Sequence, residues 1–339
     1  MRALFIGGTG TISSAVSALA VKSGVELYLL NRGTRQALVP KGSKVLTADI
    51  NDADEVRGLI SGLKFDVVAD FIAFEPAQIE RDWRLFKDKT RQYIFISSAS
   101  AYQKPLSSPV ITESTPLHNP FWQNSRNKIE CEELLMEKYR REGFPVTIVR
   151  PSHTYGDFSV PVAVHGRNGS FSVIERIRKG KKVIVHGDGT SLWTLTHNTD
   201  FAKAFLGLMA NPHAIGEAYH ITSDESLSWN QIYSIIGVVL GIEPDIVHIP
   251  SDVLASLHEP FYGSLLGDKA HSVIFDNTKI KRAVPGFAAT VRFDEGVRQT
   301  LACIIGNREC WKEDREFDSW CDRVAKACEG GLKDLPILK

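Results

Sequence analysis

Cysteine is scarce and poorly spaced for cross-linking. The 339 residues hold five: Cys131, Cys303, Cys310, Cys321 and Cys328. An odd count without a secretory leader is expected to stay reduced, as in a cytoplasm, and not to form a disulfide framework. None of the separations matches the short chelate that zinc sites favour, so no metal site is expected. Charge of one sign is lacking too. Lys+Arg and Asp+Glu stand at 40 each. That balance sets aside a broad basic field for nucleic acid or an anionic membrane, and leaves a small molecule as the expected partner. Long apolar runs are also missing. A membrane helix needs about 20 such residues, and the longest run, around Ile235–Ile242, is interrupted by glycine. The chain passes from Met1-Arg2 straight into Ala3-Leu4-Phe5-Ile6. That reads as a first strand and not as a signal peptide. A cytoplasmic protein is expected.

What is present is ordinary globular material, 43% hydrophobic and 24% charged. The length exceeds one usual core, so one large or two unequal domains are expected. Short apolar runs alternate with helical patterns through the first 150 residues. Strands are read at Ala3–Gly7, Glu26–Asn31, Lys44–Ala48, Asp66–Asp70, Gln92–Ser97 and Val146–Arg150. They lack clean alternation, as strands buried on both faces do. Helices are read at Ser13–Ser23, Asp52–Leu63, Ala77–Phe86 and Asn124–Glu142, with Gly24 and Gly143 as C-terminal stops. The pattern predicts an α/β fold, a doubly wound parallel Rossmann sheet with a smaller C-terminal α/β lobe. The expected division gives 1–160 to the sheet domain, with 193–212 returning to it. Residues 161–192 and 213–300 form a substrate-binding lobe, and 301–339 a helical extension.

Gly7-Gly8-Thr9-Gly10-Thr11-Ile12-Ser13 follows the first strand and opens the first helix. Glycines let the backbone approach a pyrophosphate, and the helix N-terminus offers free N–H groups and a positive dipole end. Ser13 stands where a third glycine is usual. Further polar groups end the later strands: Asn31 and Arg32, Asp49, Asp70 and Ser97-Ser98. Ligands of open α/β sheets bind at these carboxyl ends. The second strand ends in neutral Asn31, followed by Arg32 and Arg35, where an NAD-specific fold carries an acidic residue. NADP is therefore expected to be preferred over NAD, since guanidinium suits phosphate geometry.

These residues resemble the extended short-chain dehydrogenase/reductases, in the NAD-dependent epimerase/dehydratase branch and as an atypical member. The resemblance covers about residues 1–300. It rests on GGTGTIS at 7–13, Asp49, SSASAY at 97–102, ESTP at 113–116, Lys128 in SRNKIECEELL, RPSHTYGD at 150–157, GDGTSLWTLTHNTD at 187–200 and HITSDESLSWNQI at 220–232. It implies that Gly7, Gly10, Thr11 and Ile12 hold the phosphates. Asp49, with Ile50 beside it, would hold the adenine, and Phe71, Ile72 and Pro151 would lie along the cofactor. Lys128 would bind the nicotinamide ribose, and Ser98 the substrate oxygen.

Two positions break the pattern. The family's acid/base is a tyrosine four residues before the lysine, and here that residue is Asn124. Asparagine donates a hydrogen bond but transfers no proton near neutrality. His153 and His165 are the candidate replacements, because histidine titrates in the right range. His197, Tyr102 and Tyr155 lie in the same motifs, with both phenols expected to pack at strand ends. The second break is Trp193, where nucleotide-sugar members carry an arginine. The basic residues Arg176, Arg178, Lys179, Lys181 and Lys182 are read as a solvated loop. The expected function is an NAD(P)-dependent oxidoreductase or epimerase/dehydratase-type enzyme on a small polar, sugar-like molecule. A non-redox lyase, isomerase or cyclase on the same fold, and a non-catalytic NAD(P)-binding sensor, remain alternatives. A homodimer is expected through helix 124–142, which carries Ile129, Leu134, Leu135 and Tyr139.

Overall fold

The computed structural model describes the backbone of residues 1–333 and the side chains of 1–330. The chain forms two compact units. The first contains Met1–Thr154, Thr196–Asp224 and Phe275–Thr290; the second contains Tyr155–Leu195, Glu225–Ile274 and the chain from Val291 onward. The division differs from the expected one. Residues 213–224 and 275–290 pack into the first unit, because Ala218–Ile221 joins its sheet and helix Thr278–Ala283 packs against that strand. The segment expected as a separate extension is part of the second unit, and its residues 334–339 lie outside the described ones.

The first unit is built on seven parallel strands: β1 Arg2–Ile6, β2 Glu26–Asn31, β3 Lys44–Thr47, β4 Val67–Asp70, β5 Tyr93–Ile96, β6 Val146–Pro151 and β7 Ala218–Ile221. Their order across the sheet is β7-β6-β5-β4-β1-β2-β3. The order reverses between β1 and β4, and such a switch point opens a crevice at the carboxyl ends of the strands. Successive residues of one strand feed opposite cores. Ala3 and Phe5 pack with Val16, Phe201 and Phe205 on one face, whereas Leu4 and Ile6 pack with Val56, Ile79 and Leu135 on the other. Both sets are apolar, which is why the sequence shows no alternation. The first face is covered by α1 (Thr11–Lys22) and helix Asn198–Leu208, the second by α2 (Ala53–Leu59), α3 (Pro76–Phe86) and α4 (Gln123–Glu142). Gly143 ends α4 in the left-handed region at φ 69°, as a C-terminal glycine should.

In the second unit, strand Val183–His186 pairs in parallel with Ile246–Ile249, and Leu192–His197 pairs antiparallel with Ser226–Ser228. The basic run is no solvated loop. Arg176 is buried and bonds both Asp318 and Asp322, at 2.6 Å each. Lys181 meets the same two carboxylates, and Lys182 meets Asp245 and Glu329. Helix Arg315–Lys333 thus pairs Arg176, Lys181 and Lys182, while Arg178 and Lys179 pair with Glu175. Among the described residues no helix is long and apolar enough to cross a membrane.

Candidate functional site

The phosphate loop is tied by the residue that departs from the glycine pattern. Ser13 is buried; its Oγ donates to Gly7 O at 2.6 Å and accepts from Gly10 N at 2.8 Å. A glycine there would leave the turn to its backbone alone. Because Ser13 occupies the Gly10 N–H, the amides left open at the start of α1 are those of Thr11, Ile12 and Ser13. Asn198, from the HNTD motif, fixes this end by donating from Nδ2 to Thr11 O at 2.9 Å. Gly7 has φ +80°, and a Cβ there would lie 2.3 Å from Ile72 Cγ2. Only glycine fits.

A cavity of about 440 Å³ lies beside this loop, lined by Gly7, Gly10, Asn31, Arg32, Asp49, Ile50 and Ile72 among others. Seven expected cofactor residues therefore converge. Asn31 spends Oδ1 on Gly33 N at 3.1 Å, and its buried Nδ2 has no partner among the described residues. Arg32 is exposed, and Arg35 reaches Thr9 O at 3.4 Å. Asp49 closes its own turn by accepting from Asn51 N. Phe71 is placed differently from Ile72. Its ring packs edge-on against Phe5 and near Phe205, in the core and not in the cavity. A glycine cradle, the open amides of the first turn of α1 and an unpartnered amide donor on Asn31 suit the adenosine diphosphate part of a dinucleotide.

The other expected residues lie at the ends of β4, β5 and β6. Asp70 holds the turn after β4 by accepting from Ile72 N and Ala73 N. Lys128 is buried and donates to Ala73 O at 2.6 Å and Ile96 O at 2.7 Å, with Phe74 and Phe95 rings against its Nζ. Burial pulls its pKa down to about 8, against the pull of Asp70. One N–H remains beyond the two bonds. Ser98 sits in a chain of hydroxyls. Buried Ser125 donates to Ser100 Oγ at 2.7 Å, and Ser100 Oγ lies 2.9 Å from Ser98 Oγ, which also accepts from Ser100 N. Ser98 thus accepts one backbone N–H and shares one hydroxyl bond with Ser100. Asn124 is exposed in the first turn of α4, one turn before Lys128, and makes no side-chain hydrogen bond among the described residues. Pro151 ends β6.

The alternative proton carriers scatter. His153 is half-buried in the first unit, whereas His165 is exposed in the second, with Nδ1 2.9 Å from Gly166 O. His197 caps a helix, its Nδ1 2.7 Å from Thr199 Oγ1. Tyr155 is buried in the second unit against Phe293. Trp193 is buried against Trp229. Tyr102 belongs to a network that the sequence did not reveal. Ser97 donates to Glu132, which takes Arg150 bidentately; Arg150 Nη1 donates to Tyr102 Oη at 3.2 Å. Tyr102 Oη is 3.2 Å from His220 Nδ1, and His220 Nε2 is 2.8 Å from Asp276 O. A carbonyl only accepts, so Nε2 carries the ring proton and Nδ1 accepts from the phenol. Burial pushes the phenol up and His220 down, which keeps both neutral. This network braces β6 against β7, where Arg150 and His220 are register partners.

The fold and loop define a dinucleotide-binding protein. The model of the NAD dependent epimerase/dehydratase family matches residues 3–222, and the chain belongs to that family of enzymes. Its relatives are diverse. The chloroplast stem-loop binding protein of 41 kDa b of Arabidopsis thaliana is 29% identical over 72% of this chain, and the match spans 65% of that protein's length. The 2'-dehydrokanamycin reductase of Streptomyces kanamyceticus is 23% identical over 85% of this chain and 80% of its own. Among solved structures, the UDP-glucuronic acid 4-epimerase of Bacillus cereus, in complex with UDP-glucuronic acid and NAD, has a TM-score of 0.73 at 18% identity. The match covers 90% of this chain and 99% of that one.

Proposed function

We propose that the chain is an NAD(P)-dependent oxidoreductase or epimerase/dehydratase-type enzyme of the cytoplasm, with NADP preferred, acting on a small polar, sugar-like molecule. The convergence of the phosphate loop, Asn31, Arg32 and Asp49 on one cavity carries the reading. When bound, the nicotinamide supplies the hydride acceptor or donor. The chain supplies the rest. Thr11 and Ile12 amides face the phosphates, and Arg32 and Arg35 favour a 2′-phosphate. Lys128 would give its remaining N–H to the nicotinamide ribose. Ser98 would donate a hydrogen bond to the substrate oxygen.

UDP- and dTDP-sugars are not the substrates in this reading. Trp193 is buried under Trp229, and the basic run that would replace a diphosphate clamp is already paired with carboxylates. The relatedness to a 2'-dehydrokanamycin reductase supports a molecule of another kind. One observation favours a second reading, elimination or isomerisation without net redox: Asn124 places no titrating group on the first turn of α4.

The test joins binding to turnover. NADP⁺ and NAD⁺ are titrated against wild type and Arg32→Ala, and cofactor absorbance is followed with a panel of sugars, keto-sugars and polyols. Tighter NADP⁺ binding, weakened in the variant, with absorbance change on one substrate is the expected result. Equal affinities overturn the cofactor preference. Consumption of a substrate with no absorbance change selects the non-redox reading, and no turnover at all selects a sensor.

A further inference from the structure

The cofactor cavity has a wall that neither the glycine motif nor the strand ends supply. Arg81, on α3, lines it together with Asn51 and Gln78. Its side chain is only 12% exposed. The guanidinium is held by its edges: Nε donates to Asp82 Oδ1 at 2.9 Å, Nη2 lies 2.8 Å from the same oxygen, and Nη1 donates to Asn51 Oδ1 at 2.6 Å. Asp82 is itself fully buried and anchored by Tyr93 Oη, which donates to Oδ2 at 2.7 Å. A guanidinium bonded along its edges has its flat faces left for a ligand, and Arg81 is among the residues that line the cavity. The same cavity is lined by Asp49 and Ile50, the residues that the family resemblance places at the adenine.

We propose that Arg81 is a cofactor-binding residue whose guanidinium plane stacks on the adenine ring, with Asp82 as the positioning residue that presents the plane. The inference rests on the dinucleotide reading of the cavity and adds a recognition element to it. Planar arginine stacks well on aromatic faces, and lysine, a point charge, does not replace it. Base stacking on a flat side chain is sequence-tolerant and contributes without hydrogen bonds to the base edge. The adenine would then be held by its face through Arg81, while Arg32 and Arg35 act on the ribose side. The two roles separate in the cofactors, because NAD⁺ and NADP⁺ share the adenine and differ only in the 2′-phosphate.

Calorimetric titration of the full chain with NAD⁺, NADP⁺ and nicotinamide mononucleotide tests this. Arg81→Gln is expected to weaken NAD⁺ and NADP⁺ by the same factor, roughly tenfold, and to leave the mononucleotide unchanged. Arg81→Lys is expected to lose nearly as much. Removing Arg81 leaves Asp82 and Asp70 without their cation, so Arg81→Gln/Asp82→Asn is measured as well; it relieves the uncompensated charge and is expected to show the same loss. Asn51→Ala leaves Arg81 pinned by Asp82 and is expected to cost about twofold or less. Loss confined to NADP⁺ would overturn the proposal by assigning Arg81 to the 2′-phosphate. A loss in Asn51→Ala equal to that in Arg81→Gln would overturn it too, since Arg81 would then only brace the 49–51 turn. Wild-type protein that binds neither dinucleotide would remove the cofactor reading itself, a failure visible before any variant is made.

Discussion

The two sides of the sheet's carboxyl edge are built differently. Around β1, β2 and β3 the loop is tied by Ser13, the cavity is lined by three arginines, and an amide donor of Asn31 waits unpaired. Around β4, β5 and β6 many of the polar groups bond one another or the backbone: Lys128 on two carbonyls, Ser98 on Ser100, Glu132 on Arg150. The first side is arranged to receive a ligand, the second to hold a geometry. Asn124, one turn before Lys128, brings no titrating group to the second side, and Tyr102 there is buried and neutral.

The largest expected effect breaks this contrast. Asn124→Tyr would place a phenol one turn before Lys128, and carbonyl reduction measured by cofactor absorbance is expected to rise by about 10²–10⁴-fold, the usual contribution of a general acid. No gain on any carbonyl, with normal cofactor binding, would count for the non-redox reading. Next comes the buried pair. Glu132→Ala leaves Arg150 charged and unpaired, and urea unfolding is expected to show a loss of about 3–5 kcal/mol. A loss under 1 kcal/mol would mean that Tyr102 and the carbonyl of Glu113 suffice to satisfy Arg150. Ser13→Ala removes both ties of the phosphate loop and is expected to cost roughly 1–3 kcal/mol, with weaker dinucleotide binding by calorimetry; unchanged binding would show that the glycines hold the loop alone.

The smallest effect is a pH dependence. Lys128 has its pKa lowered to about 8, chiefly by burial. Its charge is present below that pH and lost above it, while an unfolded lysine keeps its proton to near 10.4. Between those values the unfolded chain binds more protons, so stability gains as pH rises through this window. Dinucleotide affinity should move the other way, falling severalfold between pH 7 and 9 as the attraction of the ammonium for the anionic cofactor fades. Lys128→Met should flatten that decline, and an identical decline in the variant would assign it to another group.

Much of this was legible beforehand. Six strands and four helices are readable because the strands are apolar on both faces and the helices are punctuated by Gly24 and Gly143. The seventh strand was not, because Ala218-Tyr219-His220-Ile221 places a histidine inside it, and only the partner chain of Tyr102 and Asp276 makes that histidine acceptable in a core. Arg81-Asp82 hid for the opposite reason: a charged doublet on an amphipathic helix reads as its wet face, whereas Asp82 is buried beneath Tyr93. The hydroxyl chain from Ser125 to Ser98 joins residues 27 positions apart and has no local signature. Of the apolar residues read on helix 124–142, Ile129 and Leu135 are buried and Leu134 packs on the sheet core.

Helix Arg315–Lys333 makes the second unit its own electrolyte. The carboxylates of Asp318, Asp322 and Glu329 stand where dissolved anions would otherwise gather around the basic run. They differ in exposure, and so they would differ in an ionic-strength titration. Lys181 and Lys182 are about a third exposed and their pairs would fade as the Debye length shrinks from about 10 Å at 0.1 M to 3 Å at 1 M. Arg176, at 2% side-chain exposure, would keep its partners. Concentrated salt would loosen the helix from its rim inward, and the buried guanidinium would be the last bolt to release.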